Sequence, residues 1–383
     1  MIDNDLVPRL GEANDRTSSG IPGLRGVEHV SMTVPDLDQA TDFFAEVFGC
    51  TELYTMGPFS GHGGSFMRTF ANADVRTVVE YVRVLRSPFL NIELFKVRSP
   101  VQNSRWPDML DIGGWHLAAY VDDIDAGEAF LTARPDVFVL GDGKKPTGGV
   151  EAGEGSFAVH AMTDWGLHVE LLTYPNGRAY QSAFEGRIWN PAEPDRGAVL
   201  AVPPVPGSLP GFRGFEHLSV AVADLDAATV LLVDVLGCEQ FYDLEPPFNR
   251  GGSGFGAYAN VDVRAHPTRV RLFRSRYLNI EVVECPPYPG QRRDWPGMLD
   301  VGGWHLALYV DDVDAALAFL ADTDVRMLGG EKPAYEYEAG DGAVTVHCVD
   351  PCGVYFELVS YPRGRDRANE FAGPAWHPGF PTG

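Results

Sequence analysis

Apolar side chains recur along this chain first at every second position, then at helical spacing, then at every second position again. Residues 27–34, VEHVSMTV, suit a strand of about eight residues. Val30, Met32 and Val34 share one face of it, and Val27, His29, Ser31 and Thr33 share the other. Asp36 then stands before DQATDFFAEVF, whose apolar residues fall at helical spacing, and Gly49 follows: an N-cap, an amphipathic helix and a C-cap. The runs SFMRTFA, TVVEYVRVL and LNIELFKV, broken by Gly and Asn, each predict a strand. The unit is therefore β-α-β-β-β. The helix covers one side of the sheet, so the other side encloses something or packs elsewhere.

The pattern repeats. SRWPDMLDIGGWH (104–116) answers RDWPGMLDVGGWH (293–305), RSPFLNIEL (86–94) answers RSRYLNIEV (274–282), and GVEHVSMTVPDLDQAT (26–41) answers GFEHLSVAVADLDAAT (214–229), at an offset of about 188 residues. Each half divides again, because GVEHVSMTVPDLD aligns with GWHLAAYVDDID on its histidine. The reading is α+β, with four βαβββ modules paired into two domains. Residues 1–23 form a flexible N-terminus, 24–185 the first domain (modules 24–100 and 111–178), 186–211 a Pro-rich linker, 212–364 the second domain (modules 212–286 and 300–364), and 365–383 a loose tail.

Composition narrows the function. With 383 residues, 45% hydrophobic and 22% charged, the chain is globular and too long for one ordinary core. A net charge of −23 argues against nucleic acid or an anionic membrane as partner. The N-terminus lacks a basic and apolar leader, and no apolar run reaches membrane-spanning length. Five cysteines without a C-x-x-C pair make neither a disulfide framework nor a thiolate zinc site, which points to a reducing, cytoplasmic setting. A small-molecule substrate remains as the expected partner, with self-association into a homo-oligomer left open.

The candidate chemistry lies at two recurring positions. The first strand of each module carries His29, His116, His217 or His305, and the last carries Glu93, Glu170, Glu281 or Glu357 within an apolar run. Small residues flank the histidines on their own face: Ser31, Ala118, Ser219 and Ala307. A lone strand histidine is usually a satisfied core residue. A glutamate in an apolar strand is costlier, because an unpaired buried carboxylate loses several kcal/mol. Four of each at matching places predict a divalent metal, Ni, Zn, Co, Mn or Fe(II), held by two nitrogens and two oxygens.

These residues carry a resemblance. H-x4-V-x-D-[LI]-D at module starts (Val at the bracketed position in the last) and DPCGVYFELVSYP (350–362) are similar to the motifs of the vicinal oxygen chelate superfamily, the glyoxalase I, epimerase and extradiol dioxygenase group. The matching segment DWGLHVELLTYP (164–175) lacks the proline. The resemblance covers nearly all of residues 24–362. It implies paired βαβββ modules enclosing a metal, with one site from His29, Glu93, His116 and Glu170 and another from His217, Glu281, His305 and Glu357. Some members exchange modules between halves, so the pairing is not readable from the motifs.

By the same resemblance, four retained ligands favour isomerisation, epimerisation or lyase chemistry through a metal-bound enediolate-type intermediate, with Glu170 and Glu357 as bases that swing off the metal. The alternatives are an Fe(II) dioxygenase of the extradiol type using three ligands, and a metal-independent binding or drug-resistance protein. His168 and Tyr355, two residues before Glu170 and Glu357, are candidate acid/base partners, and Asn91 and Asn279 occupy the equivalent places. His160 and His347 read equally as pocket-facing or structural. Arg83, Arg86, Arg271 and Arg274 read as a solvated face, Trp106, Trp115, Trp295 and Trp304 as packing, and Cys50 and Cys238 as small buried residues. The Gly-rich loops 57–66 and 246–255 suggest a lid.

Overall fold

The computed structural model describes residues 20–59, 64–182, 189–192, 206–244, 260–262, 264–334, 336–371 and 375–378. The first module runs β1 (Leu24–Thr33), α1 (Leu37–Phe48), β2 (Thr51–Met56), α2 (Gly64–Ala71), β3 (Val78–Ser87) and β4 (Leu90–Arg98). The second has β5 (Trp115–Val121), α3 (Ile124–Thr132), β6 (Val137–Val139), β7 (Lys145–Pro146), β8 (Phe157–Thr163) and β9 (His168–Thr173). The third has β10 (Phe212–Val222), α4 (Leu225–Val230), β11 (Glu239–Leu244), β12 (Arg269–Arg274) and β13 (Asn279–Glu284). The fourth has β14 (Trp304–Val310), α5 (Val313–Leu320), β15 (Arg326–Pro333), β16 (Val344–Val349) and β17 (Tyr355–Ser360).

The aspartate of the repeated V-x-D motif caps a helix in every module. Asp36 accepts from Asp38 and Gln39, Asp123 from Asp125 and Ala126, Asp224 from Ala227, and Asp312 from Ala315. Gly49 ends α1 at φ 64°, which a residue without Cβ adopts at no steric cost. Phe43, Phe44 and Val47 of α1 bury against Val30 and Met32 of β1, each such side chain contributing about 1.5–3 kcal/mol.

Two expectations fail locally. SFMRTFA belongs to helix α2, not a strand: Phe66, Met67, Phe70 and Ala71 follow helical rather than alternate spacing. Val27 joins the core with Val30 and Met32 instead of sharing the face of His29, because the ladder with β14 slips between Val27 and His29.

The modules pair across the halves. One eight-stranded sheet runs β15-β16-β17-β14-β1-β4-β3-β2, joining the fourth module to the first. The other runs β11-β12-β13-β10-β5-β9-β8-β6, joining the third to the second, with β7 beside β8. This corrects the grouping of consecutive modules into domains 24–185 and 212–364. The reason lies in the connectors, which cross and bind each other. Val301 donates to Asn103 and Ile112 to Arg292 through the backbone, while Asn103 N meets Asp300 Oδ1 at 2.8 Å and Arg292 N meets Asp111 Oδ1 at 2.7 Å. Each connector thus carries its chain into the opposite sheet.

The tryptophans pack at this crossing, as expected: Trp115 Nε1 donates to Gly302 O (2.9 Å) and Trp304 Nε1 to Gly113 O (3.2 Å). Gly302 has φ +77°, and a Cβ there would lie 2.4 Å from Pro107 Cδ and 2.9 Å from Trp106. Gly302→Ala is therefore expected to lower stability by about 3 kcal/mol, read as a fall in melting temperature. An unchanged melting temperature would show that the crossing yields easily.

Parts of the expected linker and loose tail are anchored. Trp189 and Trp376 are buried beside Phe89, and the backbones of both are clasped by Asn279 and Asn91 respectively. The first 19 residues and the loop 246–255 lie outside the described residues, as do 60–63 of the other Gly-rich loop. No helix among the described residues is long and apolar enough to cross a membrane.

Candidate metal centres and cavity

The antiparallel β1–β14 pair and the flanking parallel strands β4 and β17 bring four predicted residues together, His29, Glu93, His305 and Glu357. His29 Nε2 lies 3.2 Å from Glu93 Oε2 and 3.5 Å from Glu357 Oε2, and His305 Nε2 lies 3.8 and 3.6 Å from the same two oxygens. All four side chains are buried. The second sheet assembles His116, Glu170 and His217: Glu170 Oε2 is 3.3 Å from each imidazole Nε2, and the two Nε2 atoms are 3.3 Å apart. The sites implied by the resemblance, with ligands drawn from within each half, are thus replaced by sites that take one module from each half.

The residues fit a divalent cation. At the first site, Nε2 of both histidines is buried without a well-directed hydrogen bond, and two carboxylates converge on the same nitrogens. Such a cluster costs several kcal/mol unless a positive charge holds it. The second site is poorer by one carboxylate. Glu281 is drawn to Ser219 Oγ at 2.6 Å and stays out of the cluster of His116, Glu170 and His217. Burial raises its pKa, helped by the charge of Glu170 against that of His217. Glu93→Gln is therefore expected to remove about one equivalent of metal per chain and Glu281→Gln much less, by elemental analysis of each variant. Equal losses would put Glu281 among the ligands.

His160 and His347 both face the clusters: His160 Nε2 is 3.3 Å from Glu170 Oε1, and His347 Nε2 is 3.6 Å from Glu357 Oε1. His168 lies beside His116 in register but supplies no atom to the cluster. Burial first, then the charges of His116 and His160, push its pKa down to about 3. Tyr355 is not brought to the site. It packs with Met298 and Leu299, its hydroxyl accepts from Asn72 at 2.9 Å, and it does not line the cavity. Asn91 lies behind the candidate ligands, donating to Glu28 Oε1 at 3.0 Å. Arg83 braces Asp38 and Thr41, whereas Arg86, expected on a solvated face, is buried over the Trp376 ring.

Sequence reading missed a layer of residues behind and above the candidate ligands. Glu28 Oε2 lies 2.5 Å from His29 Nδ1, and Glu216 Oε2 lies 2.6 Å from His217 Nδ1. A buried carboxylate there fixes the tautomer that leaves Nε2 free for a metal. Burial alone would raise the Glu28 pKa, but the charge of Arg365 and the bond to His29 bring it to about 2. Tyr361 and Arg365, from Y-P-x-G-R, hold Glu28 at 3.1 and 3.2 Å, and Tyr174 of the matching Y-P-x-G-R reaches Glu216 at 3.2 Å. The recurring Glu-His dipeptide and the recurring Y-P-x-G-R were the available signals.

A cavity of about 840 Å³, its open mouth included, stands over the first site. Met56, Met67, Phe70 and Val82 make its wall apolar, and Glu93, Glu357, His347, Lys332 and Glu338 supply its polar groups. The Lys332 ammonium is buried, 2.9 Å from His347 Nδ1 and 5.0 Å from the Phe70 ring centre. Its counterpart in the second module, Lys145, points outward to Asp142 at 3.1 Å. Thr345, which bonds Glu357 Oε1, is matched by Ala158.

A profile described as Glyoxalase/Bleomycin resistance protein/Dioxygenase superfamily matches residues 216–345. A 2-epi-5-epi-valiolone epimerase from Actinomyces sp is 38% identical over 175 residues, which is 46% of this chain and 93% of that protein. The chain belongs to this superfamily, the vicinal oxygen chelate group that its motifs resemble. In fold it is similar to glyoxalase I from Zea mays, with a TM-score of 0.52 at 13% identity over 88% of this chain and 92% of that one. A Bacillus subtilis protein assigned provisionally as a dioxygenase gives 0.50 at 17% identity over 90% and 87%.

Proposed function

We propose that this protein is a metal-dependent epimerase acting on a small oxygenated ketone at the site of His29, Glu93, His305 and Glu357. The observation that carries the reading is the two-sided setting of Glu357. One carboxylate oxygen faces the histidine nitrogens, and the other is bonded by Thr345 and faces His347. A glutamate so placed has somewhere to go when it leaves a ligand position, as a base that takes a proton must. The epimerase relative supports the reaction class, since inversion beside a carbonyl begins with proton abstraction.

A divalent cation held by the four residues would polarise the oxygens of a bound ketone and acidify the adjacent C–H. Glu357 then accepts that proton. The apolar wall excludes water and strengthens every charge interaction inside. Lys332 would set a cation near the developing oxyanion, whereas its counterpart Lys145 turns to Asp142. The test is 2-epi-5-epi-valiolone with metal-loaded protein, followed for formation of an epimer. No conversion with any of Ni, Zn, Co or Mn would sink this substrate class.

The second site favours another reading of its own. Two histidines and one carboxylate form the ligand set of non-haem Fe(II) oxygenases, and Glu281 stands aside from it. Elemental analysis of anaerobically purified protein separates the readings. Ni, Zn, Co or Mn supports the epimerase. About one Fe per chain, with oxygen consumed on a catechol, supports a dioxygenase. No metal after reconstitution leaves a binding protein.

A further inference from the structure

We propose that Glu338 is a second catalytic residue of the first site, transferring the proton on the face of the substrate that Glu357 does not serve. The inference rests on the epimerase reading above. An epimerase must remove a proton from one face of a carbon and return one to the other, so a single fixed carboxylate leaves one face unserved. Among the described ionisable groups lining the cavity, Glu93, Glu357 and His347 belong to the candidate ligand clusters, and Lys332 is tied to His347. Glu338 is the lining carboxyl that remains. It comes from the turn Glu336–Glu338 between β15 and β16 rather than from the ligand strands, and so approaches the cavity from a different element than Glu357 does.

Its mooring is specific. Tyr54 donates to Glu338 Oε1 at 3.0 Å, and Arg365 bonds Tyr54 at 3.4 Å. The matching trio in the other sheet is Glu151, Tyr242 and Arg178, but the arginine there is placed differently. Arg178 sits on Glu151 at 2.9 Å and stands 3.8 Å from Glu216, whereas Arg365 sits on Glu28 at 3.2 Å and stands 3.9 Å from Glu338. Glu151 is locked in an ion pair, while Glu338, with Arg365 3.9 Å away, lines the cavity. Burial, with the charges of Glu93 and Glu357 against that of Arg365, pushes its pKa up to about 7. A dication between Glu93 and Glu357 would offset part of that rise.

The step balances without a co-reactant. Glu357 takes the proton as the C–H bond breaks, and the electron pair moves onto the carbonyl oxygen. Glu338, protonated, then delivers its proton to the opposite face as the C–H bond reforms, and both carboxyls re-equilibrate with water. Starting from the other epimer, the roles reverse.

The test is metal-loaded protein in D2O, with 2-epi-5-epi-valiolone and then its product epimer, followed by NMR. Wild type is expected to invert both with incorporation of deuterium. Glu338→Gln is expected to invert at least about 100-fold more slowly, with unchanged metal content, and to exchange deuterium into one epimer only. Glu357→Gln should show the reverse preference. Inversion by Glu338→Gln within threefold of wild type overturns this inference alone. Loss of metal or early melting in that variant makes Glu338 a structural residue, which also overturns it. Wild type that neither exchanges nor inverts overturns the epimerase reading, and this inference with it.

Discussion

Glu357→Gln is expected to lower kcat by about 10²- to 10⁴-fold with KM little changed. The substitution keeps the size of the side chain and one oxygen that faces His29 and His305 at 3.5 and 3.6 Å. What it removes is the ability to take a proton. Burial opposes the charge of Glu357, but His347 and His305 hold its pKa below the usual value, so the wild-type carboxylate is ionised and ready to accept. The measurement is a steady-state comparison at saturating metal, so that weaker metal binding is not mistaken for lost chemistry. A kcat within threefold of wild type would place the base elsewhere.

Arg365→Met is expected to lower stability by about 3–5 kcal/mol, because it takes the guanidinium partner from the buried Glu28 carboxylate. Metal affinity should fall as well, by about 10- to 100-fold, since Glu28 orients His29. The pH dependence separates charge from packing. The Glu28 pKa of about 2 in the folded protein lies below its ordinary 4.5. Its ionised form therefore adds stability that is fully present above pH 4.5 and is lost as pH falls toward 2. That difference is worth about 3 kcal/mol. Denaturant melts of the two proteins should accordingly converge as pH falls from 4.5 to 2. A gap that persists at pH 2 would mean that the lost stacking of Arg365 on Tyr361, 4.3 Å away, is the cause.

The repeat, the helix caps, the strand histidines and the three glutamates that converge were legible in the sequence. Each depends on a short stretch of chain: a capping aspartate acts within one turn, and alternation along one strand puts His29 and Ser31 on a common face. Glu281 has the same local signature as Glu93, yet it stays out of the cluster of His116, Glu170 and His217. Glu28 was hidden because strict alternation assigns adjacent residues to opposite faces, and the slip in the ladder beside His29 suspends that rule. Tyr355 has the spacing of a pocket residue, but Asn72 holds its hydroxyl away.

The amino-acid sequence by itself thus determined what the modules are, where each helix begins and which residues could meet a cation. The tertiary structure decided which modules meet. That choice follows from the crossing of two connectors about 190 residues apart, a contact for which no local pattern codes. It also made the two sites unequal from nearly equal sequences. The same Lys-Pro dipeptide sends Lys332 into a cavity and Lys145 to the surface, and the same Y-P-x-G-R places its arginine on Glu28 in one sheet and on Glu151 in the other. The direction of a long side chain is set by the charges and space around it, and those exist only once the sheets have assembled.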